Sequence, residues 1–190
     1  MFKFKSVPPA FGALMATVTA LAAVTAAEAG GQETLQVERA GTAGARTVIL
    51  VPGLATPGEV WDGTVAQFES AADMHVVTLA GFGGAAPADR SAGVIETAVA
   101  DLAALIDREQ LSGAVIVGHS MGGQIALQLA AARPGAVSDV VVVDSAPFFA
   151  RLFNPAITAE QAAAFGQATA AQMAAMDRDT YLAQARMGLP

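Results

Sequence analysis

At 190 residues the chain is long enough for one domain, and its 54% hydrophobic content is ample for a core. A formal net charge of −7, with no lysine beyond Lys5, argues against nucleic acid and anionic membrane surfaces as partners. The absence of cysteine excludes disulfides, thiolate metal sites and a cysteine nucleophile.

Lys3 and Lys5 make a basic start, Ala10 to Ala27 carry no charge, and Ala27-Glu28-Ala29 has the small-residue pattern of a cleavage site. This order predicts a secretory signal over residues 1–29, leaving Gly30 as the new N-terminus. The alternative is a membrane anchor, because about 18 uncharged residues approach spanning length. The modest hydrophobicity of an Ala- and Thr-rich segment favours cleavage, and hence no stable membrane insertion afterwards. Losing Lys3, Lys5 and Glu28 makes the mature chain more negative by a single charge. A secreted protein without disulfides fits a bacterial periplasm or exterior.

Glu33 to Ala40 alternates loosely and predicts an edge strand, with Gly41-Thr42-Ala43-Gly44 as its turn. Thr47 to Val51 is a continuous apolar run ending at Pro52-Gly53, the pattern of a buried strand. A helix is expected from about Glu59 to Ala71, turning Val60, Trp61, Val65 and Phe68 to one side. Met74 to Leu79 predicts another buried strand, leading into Gly81-Phe82-Gly83-Gly84. Val94 to Glu109 predicts a helix whose Ile95, Val99, Leu102 and Ile106 form one core-facing stripe. Strands follow from Ala114 and over Asp139 to Val143, with a helix between them that Pro134 stops. This alternation predicts an α/β fold with a doubly wound, mostly parallel sheet. Ligands on such sheets bind at the carboxyl ends of the strands, where Leu54, Phe82, Ser120 and Asp144 all fall. Thr158-Ala159-Glu160-Gln161 is a capping-box start for a further helix, and Asp179 is placed to cap a last one reaching Gly188.

The stretch Ala114 to Leu127 carries the chemistry: a strand, a glycine-pinched turn with Ser120 at its tip, and a helix. Gly118-x-Ser120-x-Gly122 is the nucleophile-elbow pattern in its required strand–turn–helix context. A serine hydroxyl is a weak nucleophile and must be held clear of the sheet, where a base and a carbonyl carbon can reach it. The helix start places the Met121 N–H beside the reacting oxygen, where it can stabilise an oxyanion.

These features together resemble the α/β-hydrolase superfamily, in its esterase-like branch, over roughly Leu35 to Phe153. Val51-Pro52-Gly53-Leu54 is similar to the family loop whose N–H completes the oxyanion hole, so the resemblance pairs Leu54 with Met121. Trp61 stands where the family often has a tryptophan after that loop. Gly81-Phe82-Gly83 resembles the Gly-Phe-Gly turn after the next strand, although Thr78-Leu79-Ala80 replaces the usual Asp-x-Pro. The resemblance thus adds Phe82 and Trp61 as substrate-binding candidates. It divides the chain into a signal (1–29), an incomplete hydrolase core (30–153) and the start of a helical lid (154–190).

The resemblance also implies a catalytic histidine that this sequence does not supply. Of its two histidines, His75 is expected at the start of a strand and His119 beneath the elbow. Asp144 is the carboxylate that some family members would use as the triad acid, with a structural strand-end aspartate as the alternative. The expected chemistry is hydrolysis of an ester or related small acyl substrate by Ser120, without metal or cofactor, on a polypeptide that stops inside the lid. The competing reading is a catalytically inactive hydrolase-like protein that binds small molecules. The sequence leaves the oligomeric state open. Nucleotide binding has little support, since no G-x-x-x-x-G-K-S/T is present. Two distant histidines and scattered carboxylates make no metal-ligand cluster.

Overall fold

The computed structural model describes residues 35–87 and 93–187. The expected signal over residues 1–29 lies outside the described residues.

Five strands build one sheet: β1 (Gln36–Gly41), β2 (Arg46–Val51), β3 (Ala72–Thr78), β4 (Ala114–His119) and β5 (Val137–Val143). Their order is β1-β3-β2-β4-β5, with β1 antiparallel to β3 and all other pairs parallel. The expected edge strand is therefore an edge strand, and the expected doubly wound sheet is present. β3 is buried almost throughout because its neighbours and both covering layers exclude water. β5 lies at the other edge, and Val141 and Val143 are 45% and 40% exposed.

Side chains alternate across the sheet and divide the core in two. Ile49, Val51, Val77 and Leu79 face one layer, where α2 (Val94–Glu109) and α3 (Met121–Ala132) cover them with Leu102, Leu105, Ile106, Ile125 and Leu129. Leu50, Met74 and Val76 face the other layer, closed by Trp61. Within α2 the fully buried residues are Ala98, Leu102, Leu105 and Ile106, while Ile95 and Val99 are only partly buried. The stripe is thus rotated slightly from the expected one. Leu102 has no exposed surface. Leu102→Ala is expected to cost about 2–5 kcal/mol in urea unfolding, the range for a buried leucine whose site cannot collapse.

Three local expectations need correction. The helix expected over 59–71 begins as a 3-10 turn (Gly58–Trp61) and becomes α1 only over Asp62–Phe68. Val60 and Phe68 are about half exposed, so Trp61 alone is fully inside. The turn is pinned where the Gly58 N–H donates to the buried Thr78 Oγ1 at 2.8 Å. His75 does not start a strand: it lies in mid-β3 and is 1% exposed, because β1 extends the sheet past it.

After β5 come α4 (Ala150–Phe153), α5 (Ala159–Ala174) and α6 (Arg178–Met187). The capping box at α5 is formed in both directions by Thr158 and Gln161. The third correction is the start of α6, where Asp177 takes the place expected for Asp179. Its carboxylate accepts from the N–H groups of Asp179 and Thr180 and from the Thr180 hydroxyl. Those bonds, the hydroxyl first, hold the Asp177 carboxyl below the usual carboxylate range. No residue of α4 or α5 is buried, and Phe153 and Phe165 are among the most exposed apolar side chains. Among the described residues, no helix is long and apolar enough to cross a membrane.

Candidate active site

The carboxyl ends of β2, β4 and β5 are level. Val51 is the register partner of Gly118, and His119 that of Val143. Ser120 and Asp144 follow as the next residues of neighbouring parallel strands, and both have left-handed φ, 52° and 48°. For L side chains this conformation is costly and persists only where surrounding structure enforces it. At Ser120 the enforcement is visible. Its N–H donates to Val143 O at 2.9 Å, and its carbonyl accepts from the N–H of Gly123 at 3.0 Å. The chain thus reverses from strand to helix at a single residue.

The flanking glycines make that reversal possible by close approach. A Cβ on Gly118 would lie 2.2 Å from Gly122 O, and one on Gly122 would lie 2.3 Å from Val51 O. Both clashes are with backbone, which cannot swing aside. Gly122→Ala is expected to destabilise the fold by roughly 1–3 kcal/mol, the usual cost of overpacking. Denaturant titration checks it, with Gly63→Ala, where nothing lies within 4 Å and φ is not left-handed, as the open control.

Pro52 and Gly53 lead from β2 across the elbow. The place for a Cβ on Gly53 is 3.0 Å from His119 Nδ1 and 3.5 Å from Ser120 Cβ, so this loop runs directly beside the serine. Leu54 follows at 64% exposure, and Ala55 takes a left-handed φ of 54°. The turn closes with the Thr56 hydroxyl donating to Leu54 O at 3.0 Å. Met121 opens α3, where first-turn N–H groups have no partner within the helix. The geometry therefore brings Ser120, Met121, Asp144 and the Gly53–Leu54 turn to one edge of the sheet.

The other candidates lie differently. Phe82 sits in the turn after β3, where its N–H donates to Leu79 O at 3.1 Å and its ring packs partly buried on the larger core. Trp61, expected near substrate, is 7% exposed in the smaller core layer with Leu50 and Met74. Its indole N–H has no hydrogen-bond partner. His119 is half-buried, with Nδ1 unpartnered beneath Gly53. His75 is on β3, and β2 separates that strand from β4. Sequence reasoning missed Ser145, whose Cβ is 2.8 Å from the place a Gly123 Cβ would take and whose Oγ is buried without a partner. No periodicity marks such a contact. Among the described residues, no three side chains of metal-ligating type converge.

A mostly parallel sheet with helices on both faces and a strand–serine–helix reversal at its carboxyl edge defines the α/β-hydrolase fold. A sequence model described as "Alpha/beta hydrolase family" matches residues 48–189, and the chain belongs to that family. It is 36% identical over 115 residues to "Lipase LipV" of Mycobacterium tuberculosis, covering 59% of this chain and 42% of that protein. It is 30% identical over 107 residues to the pimeloyl-[acyl-carrier protein] methyl ester esterase of Pectobacterium carotovorum, covering 56% of this chain and 40% of that one. Among solved structures, a "Marine microorganism esterase" superposes with a TM-score of 0.54 at 28% identity, over 60% of this chain and 42% of that chain. A hydrolase from Pseudomonas aeruginosa PA01 shares the fold, with a TM-score of 0.62 at 18% identity over 81% of this chain and 54% of that chain. The chain spans about two fifths of the length of these two curated relatives.

Proposed function

We propose that this chain carries the nucleophile half of a serine hydrolase for small esters or related acyl compounds. The observation that carries the reading is Ser120, held at φ 52° between β4 and α3 with the Gly53 turn against it. Ser120 Oγ attacks the acyl carbon, its proton passes to a base, and the carbonyl oxygen becomes an oxyanion facing the N–H groups of Met121 and Leu54. Collapse of the tetrahedral species expels the alcohol and leaves an acyl-serine, which water then hydrolyses. Asp144, one strand away and level with Ser120, is the candidate acid. On this reading neither His75 nor His119 is the histidine of the triad. The lipase and the methyl ester esterase among the relatives support an ester as the substrate class. We assign residues 1–29 to a cleaved secretory signal, 30–153 to the hydrolase core and 154–190 to the start of a lid, in a secreted or periplasmic protein.

The placement of both histidines supports a second reading, a hydrolase-like protein that binds an acyl compound without turning it over. Labelling with a fluorophosphonate probe separates the two. A form that also carries the complementary base labels at Ser120 under the first reading. A well-folded form of the same extent that stays unlabelled establishes the second.

A further inference from the structure

Away from the serine, a buried imidazole shares one carboxylate oxygen with a guanidinium. His75 is 1% exposed and both of its ring nitrogens lack a hydrogen-bond partner. Its Nδ1 lies 3.7 Å from Glu109 Oε2, the same oxygen that Arg39 engages from β1. Arg39 and His75 are also register partners across β1 and β3. The remaining charges around the ring are Asp73 from its own strand, with Oδ1 at 4.0 Å from Nε2, and Arg108 from α2, which reaches Glu109 Oε1 at 3.4 Å. From β2 the register partner is the apolar Ile49.

The Arg39–Glu109 pair ties β1 to the end of α2, and among the described residues the strand partner of β1 is β3 alone. We propose that His75 is an acid-sensitive latch: on taking a proton it competes with Arg39 for Glu109 Oε2 and loosens the β1 edge. A protonated Nδ1 becomes a donor aimed at an oxygen already occupied, and it brings a second positive charge beside Arg39. The two cations then repel each other beside a single carboxylate, and the exposed partner on the edge strand is the one that gives way.

The direction of the pH response follows from burial. Burial first, and then the Arg39 charge, hold the His75 ring below the ordinary imidazole range, against the pull of Glu109 and Asp73. The unfolded or loosened chain therefore binds the proton first, so stability is present at neutral pH and is lost as pH falls through about 6.5, the unperturbed imidazole value. Burial raises the Glu109 carboxyl, but Arg39, His75 and Arg108 outweigh it and hold it low, so its own loss comes only at more acidic pH.

Hydrogen exchange of the whole chain, read by mass spectrometry in dilute solution, tests the latch. After correction for intrinsic rates, β1 amides are expected to exchange about tenfold faster at about pH 5 than at about pH 7, because the loosened edge binds the proton more tightly than the closed one. β4 amides keep their protection. In His75→Phe the β1 acceleration disappears. Constant β1 protection in the wild type, parallel loss in β4, or the same acceleration in His75→Phe overturns the proposal. If His75→Phe does not fold, Arg39→Met provides the second arm: β1 is loose at both pH values with no further acid response, and an unchanged response overturns the latch. The outcome is independent of acyl transfer, since His75 does not touch the serine site.

Discussion

In a form that carries the complementary base, Ser120→Ala is expected to abolish fluorophosphonate labelling and to lower the rate of p-nitrophenyl ester hydrolysis by about 10⁴–10⁶-fold. The size follows from the chemistry. Without Oγ there is no acyl-enzyme, and only the oxyanion donors and binding remain, worth about 10³–10⁴ over water in triad enzymes. The fold should survive the change. Ser120 is the N-cap of α3 without a side-chain cap bond, so its hydroxyl contributes no helix-capping bond. The clean comparison is therefore labelling and turnover against an unchanged melting curve. Labelling that persists in Ser120→Ala would move the nucleophile elsewhere. Residual turnover above the expected range would mean that water is activated directly. Gly122→Ala should differ from Ser120→Ala, losing stability and labelling together, because its Cβ is driven into the Val51 and Pro52 carbonyls.

The second large effect is at the sheet edge. The 190-residue polypeptide is expected to self-associate through β5, and Val141→Lys is expected to weaken that association about tenfold or more, equivalent to at least about 1.4 kcal/mol. Among the described residues β5 pairs only with β4, and Val140 to Val143 are four valines in succession. Asp139, the one charge on the strand, is already engaged by Arg46 across the sheet. The opposite edge is protected differently, since β1 presents Glu38 and Arg39. Unpaired N–H and C=O groups on an apolar strand are a template for another strand, and a lysine ammonium must be desolvated before such pairing. Light scattering against concentration reads the difference. A wild-type chain that stays monomeric and melts cooperatively would show that the β5 edge is covered, and the expectation would fail.

How much of this was legible beforehand depends on the range of the interaction. The strand runs at Thr47–Val51 and Met74–Leu79 were legible because a strand covered on both faces must be apolar throughout. The Val94–Glu109 helix and the capping box at Thr158 were legible because both are set within a few residues. The elbow was legible for the same reason: Gly118, Ser120 and Gly122 are close in sequence as well as in space. The 3-10 turn that carries Trp61 was not legible, because it is pinned by the Gly58–Thr78 bond to a strand 20 residues away.

Periodicity, local turn chemistry and composition suffice for the order of strands and helices, the strand–serine–helix turn and the acidic, cysteine-free chemistry of the chain. They do not suffice for the site. That Ser120 and Asp144 are level on adjacent strands, that Gly53 lies against the serine, and that His75 is buried beside Glu109 rather than free at a strand end all emerge only on folding. Each of these juxtapositions joins residues at least 24 positions apart. Strand order and register bring such partners together, and no local pattern encodes them.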